Sequence, residues 1–181
     1  RHENNMKGVA FMEAILKPFA TWEDMPAVNG VEMKDTFRAF RTPEVGWDMI
    51  VNQHMFVDQL LPAMVVRTLT DAEMDHYRAP YIDPPTRKPL WAWPNQLPIA
   101  GEPAEVVAAV EAYYQKLQRS ALPKLLLSST PGALITAEVV AWCQAHLNNL
   151  TVVDIGPGIH FFQEDNPHGI GTAIAQWYAS L

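Results

Sequence analysis

Three short apolar runs decide what this chain can fold into. Lys7-Gly8-Val9-Ala10-Phe11-Met12, Pro123-Lys124-Leu125-Leu126-Leu127-Ser128 and residues 150–155 show almost no polar alternation. A strand that is apolar on both sides needs both faces covered, the condition of a parallel sheet packed between helices. Residues 136–147 follow the second run with a helical pattern. Residues 167–181 close the chain as a helix, with Asn166 as N-cap. Strand, helix, strand, helix with short loops means parallel strands joined by crossovers. The predicted fold class is α/β.

Between Lys17 and about Asn95 the composition changes. Proline becomes frequent, methionine and aromatics are dense, and short helical patterns replace strands. Thr21-Trp22-Glu23-Asp24 reads as a helix start, and Pro26-Ala27-Val28-Asn29-Gly30 as a loop. In residues 32–41, Met33, Phe37 and Phe40 fall at i, i+4, i+7 on one face. Thr42-Pro43 is an N-cap with proline at the first helical position, predicting a helix toward Asn52. Phe56, Leu60, Leu61, Met64 and Val65 form another apolar face. Thr70-Asp71-Ala72-Glu73 is a capping box. Residues 81–89 read as a proline-rich turn, and residues 89–94 as one more short helix. Such a block between strands reads as a lid. After Leu97-Pro98-Ile99-Ala100-Gly101 the α/β rhythm returns, with a helix over 103–117 that turns Val106, Val107, Val110, Tyr113 and Tyr114 inward. The expected organisation is a core strand in 1–16, an all-helical cap in 17–95 and further core in 96–181.

Net charge is −7 over 181 residues without a Lys/Arg block, which argues against a nucleic-acid groove or an anionic membrane as partner. The single cysteine, Cys143, excludes an internal disulfide, fits a reducing compartment and reads as core filler. No run approaches the roughly 20 apolar residues of a membrane span. Arg1-His2-Glu3-Asn4-Asn5 is neither an initiator sequence nor a signal peptide. Three strands are too few for a cap of this size. The expectation is the later part of a longer protein, whose N-terminal core lies upstream.

Two polar residues stand out against the apolar runs. Glu13 ends the first, where a carboxylate is costly unless paired or exposed. His160 follows the third, after Gly156-Pro157-Gly158, which reads as a turn that breaks the chain. Taken singly, each reads as a solvated residue. If both strands share one sheet, the two side chains emerge at the same rim, where open parallel sheets place ligand sites. Glu13 could then accept a hydrogen bond from Nδ1–H of His160, fixing its tautomer and leaving Nε2 as a base.

At this point the chain resembles the haloalkane dehalogenases of the α/β-hydrolase fold, in the subfamily whose catalytic acid is a glutamate after the sixth strand. The resemblance is carried by Ala10-Phe11-Met12-Glu13, Thr36-Phe37-Arg38-Ala39-Phe40-Arg41, Leu61-Pro62, Glu73-Met74-Asp75-His76-Tyr77-Arg78 and Pro131-Gly132-Ala133-Leu134. Its most specific segments are Leu97-Pro98-Ile99-Ala100-Gly101-Glu102-Pro103 and His160 with Gln163-Glu164-Asp165. It implies the C-terminal part of a mostly parallel sheet with an inserted helical cap, with Glu13 as catalytic acid and His160 as general base. From the cap, Phe37, Phe40, Phe56, Leu60, Met64, Trp93, Pro94 and Leu97 would line the pocket and tunnel. Ala133, Leu134 and Phe161 would join them from the core. The family's nucleophilic aspartate and its halide-binding tryptophan and asparagine would all precede Arg1, and no nucleophile elbow occurs in the chain.

The activity so implied is hydrolysis of haloalkanes to alcohol and halide, serving detoxification in a bacterial cytoplasm, by a monomer or homodimer. Its partners would be a small halogenated hydrocarbon, water, halide and the missing N-terminal half. No cofactor or metal is expected. Rival readings are a luciferase-like monooxygenase with the same Glu/His pair, or an epoxide hydrolase using Tyr77 and Tyr81. An esterase with a serine elbow and a non-catalytic binding scaffold complete the list.

Overall fold

The computed structural model describes residues 5–181, so the expectation placed on Arg1-His2-Glu3-Asn4 lies outside the described residues. The chain divides into two compact units, Arg1–Lys17 with Glu111–Leu181, and Pro18–Val110.

The first unit is built on a three-stranded parallel sheet. β1 (Val9–Phe11), β4 (Lys124–Pro131) and β5 (Leu150–Gly158) lie in the order β1-β4-β5. The central strand explains the apolar run. Leu125 and Leu127 point to one face, where they meet Ile155, Phe162, Ile170 and Ala173 under α8 (Pro167–Ala179). Leu126 points to the other and packs with Leu16, Ile135, Cys143 and Leu147 beside α7 (Ala137–His146). Both faces are therefore dry, as uninterrupted hydrophobicity requires. Cys143 is fully buried, and burial pushes its thiol up to about 11, which makes it inert filler.

Two strand expectations change. β1 is only three residues long and, among the described residues, pairs with β4 alone; Val9 and Phe11 are half-buried and Ala10 is exposed. Gly156-Pro157-Gly158 does not break the chain. β5 runs through it, with one extra residue opposite the Ser128–Thr130 stretch of β4. Gly156 takes up this bulge at φ 98°, a conformation that glycine adopts without strain.

The second unit is mainly helical. The expected loop at residues 26–31 is instead a small hairpin of β2 (Ala27–Val28) and β3 (Val31–Glu32). Asn29 and Gly30 both have positive φ, 50° and 76°, the requirement of a two-residue hairpin turn. α1 (Met33–Arg41) buries Met33 and Phe40 along its predicted face. The helix predicted toward Asn52 reaches that residue, but widens on the way. α2 (Pro43–Trp47) gives way to a wide π-type turn, Asp48–Asn52, and a second, Phe56–Leu60, precedes α3 (Leu61–Ala63). α4 (Asp71–Arg78) carries its capping box, with Thr70 N–H donating to Glu73 Oε2 at 2.7 Å and Glu73 N–H to Thr70 Oγ1 at 3.3 Å. The proline-rich stretch winds into two 3₁₀ turns, Ala79–Tyr81 and Pro84–Arg87, before α5 (Lys88–Asn95). α6 spans Ala104–Arg119; Val110 is buried on it, but Tyr113 is exposed rather than inward. No helix among the described residues is long and apolar enough to cross a membrane.

Leu126 has no exposed surface. Leu126→Ala should therefore cost about 2–5 kcal/mol of stability, read as a lowered urea midpoint with an unchanged slope.

Candidate active site

The sheet topology delivers Glu13 and His160 to one place. β1 and β5 flank β4 in parallel, so the residues just beyond their C-terminal ends emerge at the same rim. His160 Nδ1 lies 3.0 Å from Glu13 Oε2. The carboxylate is 4% exposed and the imidazole 32%. Glu13 is not a solvated strand end, and His160 is not a free surface histidine.

A buried carboxylate needs donors, and here the backbone supplies them. The loop between β4 and α7 turns its N–H groups onto Glu13. Ala133 N–H is shared between both oxygens at 3.2 Å, Leu134 N–H donates to Oε2 at 2.8 Å and Ile135 N–H to Oε1 at 3.0 Å. With His160, four groups converge on one acceptor. An ionised carboxyl group only accepts, so it matches this cradle. α7 begins just after the loop, and its N-terminal dipole also favours negative charge there.

Two backbone distortions shape the site. Glu13 has φ 40°, a left-handed conformation rare outside glycine, which aims its side chain back at the loop. Gly132 has φ 70°, and a Cβ there would stand 2.6 Å from the Ile135 carbonyl and 3.3 Å from Glu13 Oε1. The cradle is thus available only to glycine at this position. None of this was visible as a motif. The Pro131-Gly132 turn ahead of a helix start was the one signal, but what three consecutive N–H groups bind depends on the neighbouring strand.

The orientation of His160 follows. Glu13 accepts at Nδ1, so the neutral ring carries its proton there, and Nε2 keeps a lone pair for proton transfer. The Phe161 ring packs edge-on against the imidazole, with centroids 4.7 Å apart. Ala133 and Leu134, read from sequence as pocket wall, lie beside Glu13 and give it their N–H groups; Ala133 is buried and Leu134 half-buried.

The eight remaining wall candidates belong to the helical unit. Phe40 lies between Phe37 and Phe56, with ring centroids 5.7 and 6.1 Å away. Phe40, Met64 and Pro94 are buried within the unit. Phe37, Phe56, Leu60 and Leu97 are half-buried, and Trp93 is 74% exposed. Among the described residues no group of three or more His, Cys, Asp or Glu side chains could hold a metal ion.

No family model matches the chain. Along 98% of its length it is 41% identical to a haloalkane dehalogenase of Mesorhizobium japonicum, and along its whole length 39% identical to one of Bradyrhizobium diazoefficiens. Its fold superposes on the crystal structure of the haloalkane dehalogenase DbeA from Bradyrhizobium elkani with a TM-score of 0.91 at 41% identity, over 97% of this chain and 59% of that one. The haloalkane dehalogenase DatA from Agrobacterium tumefaciens gives 0.85 at 30%, over 98% and 60%. By sequence and by fold the chain belongs with the haloalkane dehalogenases. It has an α/β-hydrolase architecture. It spans 56% and 60% of the length of the two curated dehalogenases.

Glu13→Leu should leave the three N–H groups of the cradle, two of them on buried residues, without an acceptor, and cost at least about 2 kcal/mol of stability in urea denaturation. In the same variant ¹⁵N NMR of the ring should show the proton distributed over both nitrogens of neutral His160 rather than held on Nδ1.

Proposed function

We propose that this chain is the C-terminal part of an enzyme that hydrolyses haloalkanes to alcohol and halide, and that it contributes the base, the acid that orients it, and the cap. The reading is carried by the Nδ1–Oε2 contact of His160 and Glu13 at 3.0 Å, in a chain 41% identical to a haloalkane dehalogenase over 98% of its length.

In the proposed reaction an aspartate from the preceding segment attacks the halogen-bearing carbon. Its oxygen forms a C–O bond as the carbon–halogen bond breaks and halide leaves with the electron pair. Halide needs no proton, so His160 has no task in this step. Water then attacks the carbonyl carbon of the alkyl ester while His160 Nε2 takes its proton. Collapse of the tetrahedral intermediate expels the alkoxide, which recovers the proton from His160 and leaves as alcohol, and the water's second proton, left on the carboxyl group, passes to solvent and regenerates the aspartate. Glu13 stabilises the imidazolium between the two proton transfers. Its charge is held by backbone dipoles that need no rearrangement, which suits a site that must stabilise charge without reorganising.

The half-buried Phe37, Phe56, Leu60 and Leu97, with Trp93, would present apolar surface to substrate. Burying each CH₂ of a haloalkane there contributes about 0.8 kcal/mol. Substrates would then be short apolar halides, and their binding would owe little to charge. A bacterial cytoplasm and a role in detoxification fit this reading.

The test uses the full-length protein. His160→Phe should abolish steady-state halide release from a bromoalkane while a stoichiometric burst remains, and intact-protein mass spectrometry should show a mass increase equal to the alkyl group less one hydrogen. Continued turnover without an adduct would refute the assignment of His160.

A further inference from the structure

One buried imidazole has no part in this chemistry. His54 sits in the helical unit at the joint between the two π-type turns, Asp48–Asn52 and Phe56–Leu60, with its backbone at φ 59°. Its side chain is 8% exposed, and Nδ1 lies 3.1 Å from Asp58 Oδ2. The other Asp58 oxygen accepts from Arg78 Nε at 2.6 Å, and Arg78 also reaches Asp75 at 3.3 Å. Arg87 donates to the Val51 and Asn52 carbonyls at 2.8 and 3.3 Å, three and two residues before His54, and its charge is felt at the ring. The Tyr81 ring centroid stands 6.4 Å away. Asp58, Arg78, Arg87 and Tyr81 are thus the charged and titratable groups that face His54. Its Nε2 is buried and has no hydrogen-bond partner among the described residues.

This arrangement favours the neutral ring. With Asp58 on Nδ1, the ring's single proton stays there and Nε2 keeps a lone pair. A second proton would create a buried N–H with no acceptor, in the field of two guanidinium groups. Asp58 would favour the cation, but its carboxylate is already shared with Arg78. Burial, then the charge of Arg87, outweigh Asp58 and hold His54 below its ordinary value of 6.5.

We propose that His54 is a proton-operated latch: neutral, it locks the joint between the two turns, and on acidification it releases the segment from residue 48 to residue 60. The segment carries Phe56 and Leu60, so acid would loosen one wall of the proposed pocket. That consequence rests on the haloalkane reading; the latch itself does not. The direction follows from linkage. The released state titrates near 6.5 and the locked state lower, so between these values release takes up a proton. The contribution of the latch is complete above 6.5 and is lost as pH falls through the folded value.

Hydrogen exchange on the full-length protein at about pH 7.5 and 5.5, corrected for the intrinsic rate, tests this. Protection of peptides covering 48–60 should fall at the lower pH by at least about threefold more than that of β4 peptides. In His54→Asn, which removes the titrating ring but tolerates positive φ, this extra loss should vanish. The melting temperature of the wild type should drop by at least about 2 °C more than that of the variant over the same range. Equal acid loss in both proteins, or a 48–60 segment that tracks β4, would overturn the proposal. Should the variant not fold, the wild-type imidazole Cε1–H resonance decides: titration of His54 below 6.5 supports the latch, and at or above 6.5 rejects it. Halide release enters none of these readouts, so failure of the dehalogenase reading would leave the result standing.

Discussion

The Glu13 carboxylate, buried at the end of an apolar strand, is the group on which the architecture of the site depends. A charge in that position is tolerated only with strong compensation. The compensation consists of three backbone N–H groups and one imidazole, all within 3.2 Å. Each requires something of the fold: a left-handed turn at Gly132, a helix that begins just after Ile135, and a bulged β5 that carries His160 across to Glu13. Side-chain donors could have done the same work at a higher entropic cost, since each would have to be immobilised. Backbone donors are already fixed by the fold.

This explains the division of labour within the first unit. β4 is its rigid centre, with Leu125 to Leu127 at 2% exposure or less and contacts on both sheet faces. Chemistry-bearing groups sit beyond the strand ends, on loops positioned by that centre. The helical unit follows a different physics. Its chain reaches density with short helices, π-type turns and a hairpin, and its backbone is locally irregular where His54 is buried. Irregular backbone of that kind concentrates where a fold has more than packing to satisfy.

The sequence carried part of this plainly. Uninterrupted apolar runs announced parallel strands, and β4 answers to that reading because both of its faces are covered. β1 is parallel as read, but only three residues long and less buried than its apolar run suggests. The capping box at Thr70 and the N-cap at Asn166 are local chemistry, complete within four residues, and are legible for that reason. The Gly-Pro-Gly segment misled because a turn and a bulge use the same residues, and only the partner strand decides between them. Asn29-Gly30 was a hairpin signal hidden inside an apparent loop.

By itself the sequence determined the α/β class, the helical block between strands, and the two polar residues at the ends of apolar runs, all properties of short stretches read along the chain. Tertiary structure alone decided that those two side chains meet, that backbone amides hold one of them, and that His54 is sealed with an unpaired nitrogen. The physical reason is distance along the chain. Glu13 and His160 are 147 positions apart, and no local preference can specify a hydrogen bond that exists only once three strands share a sheet.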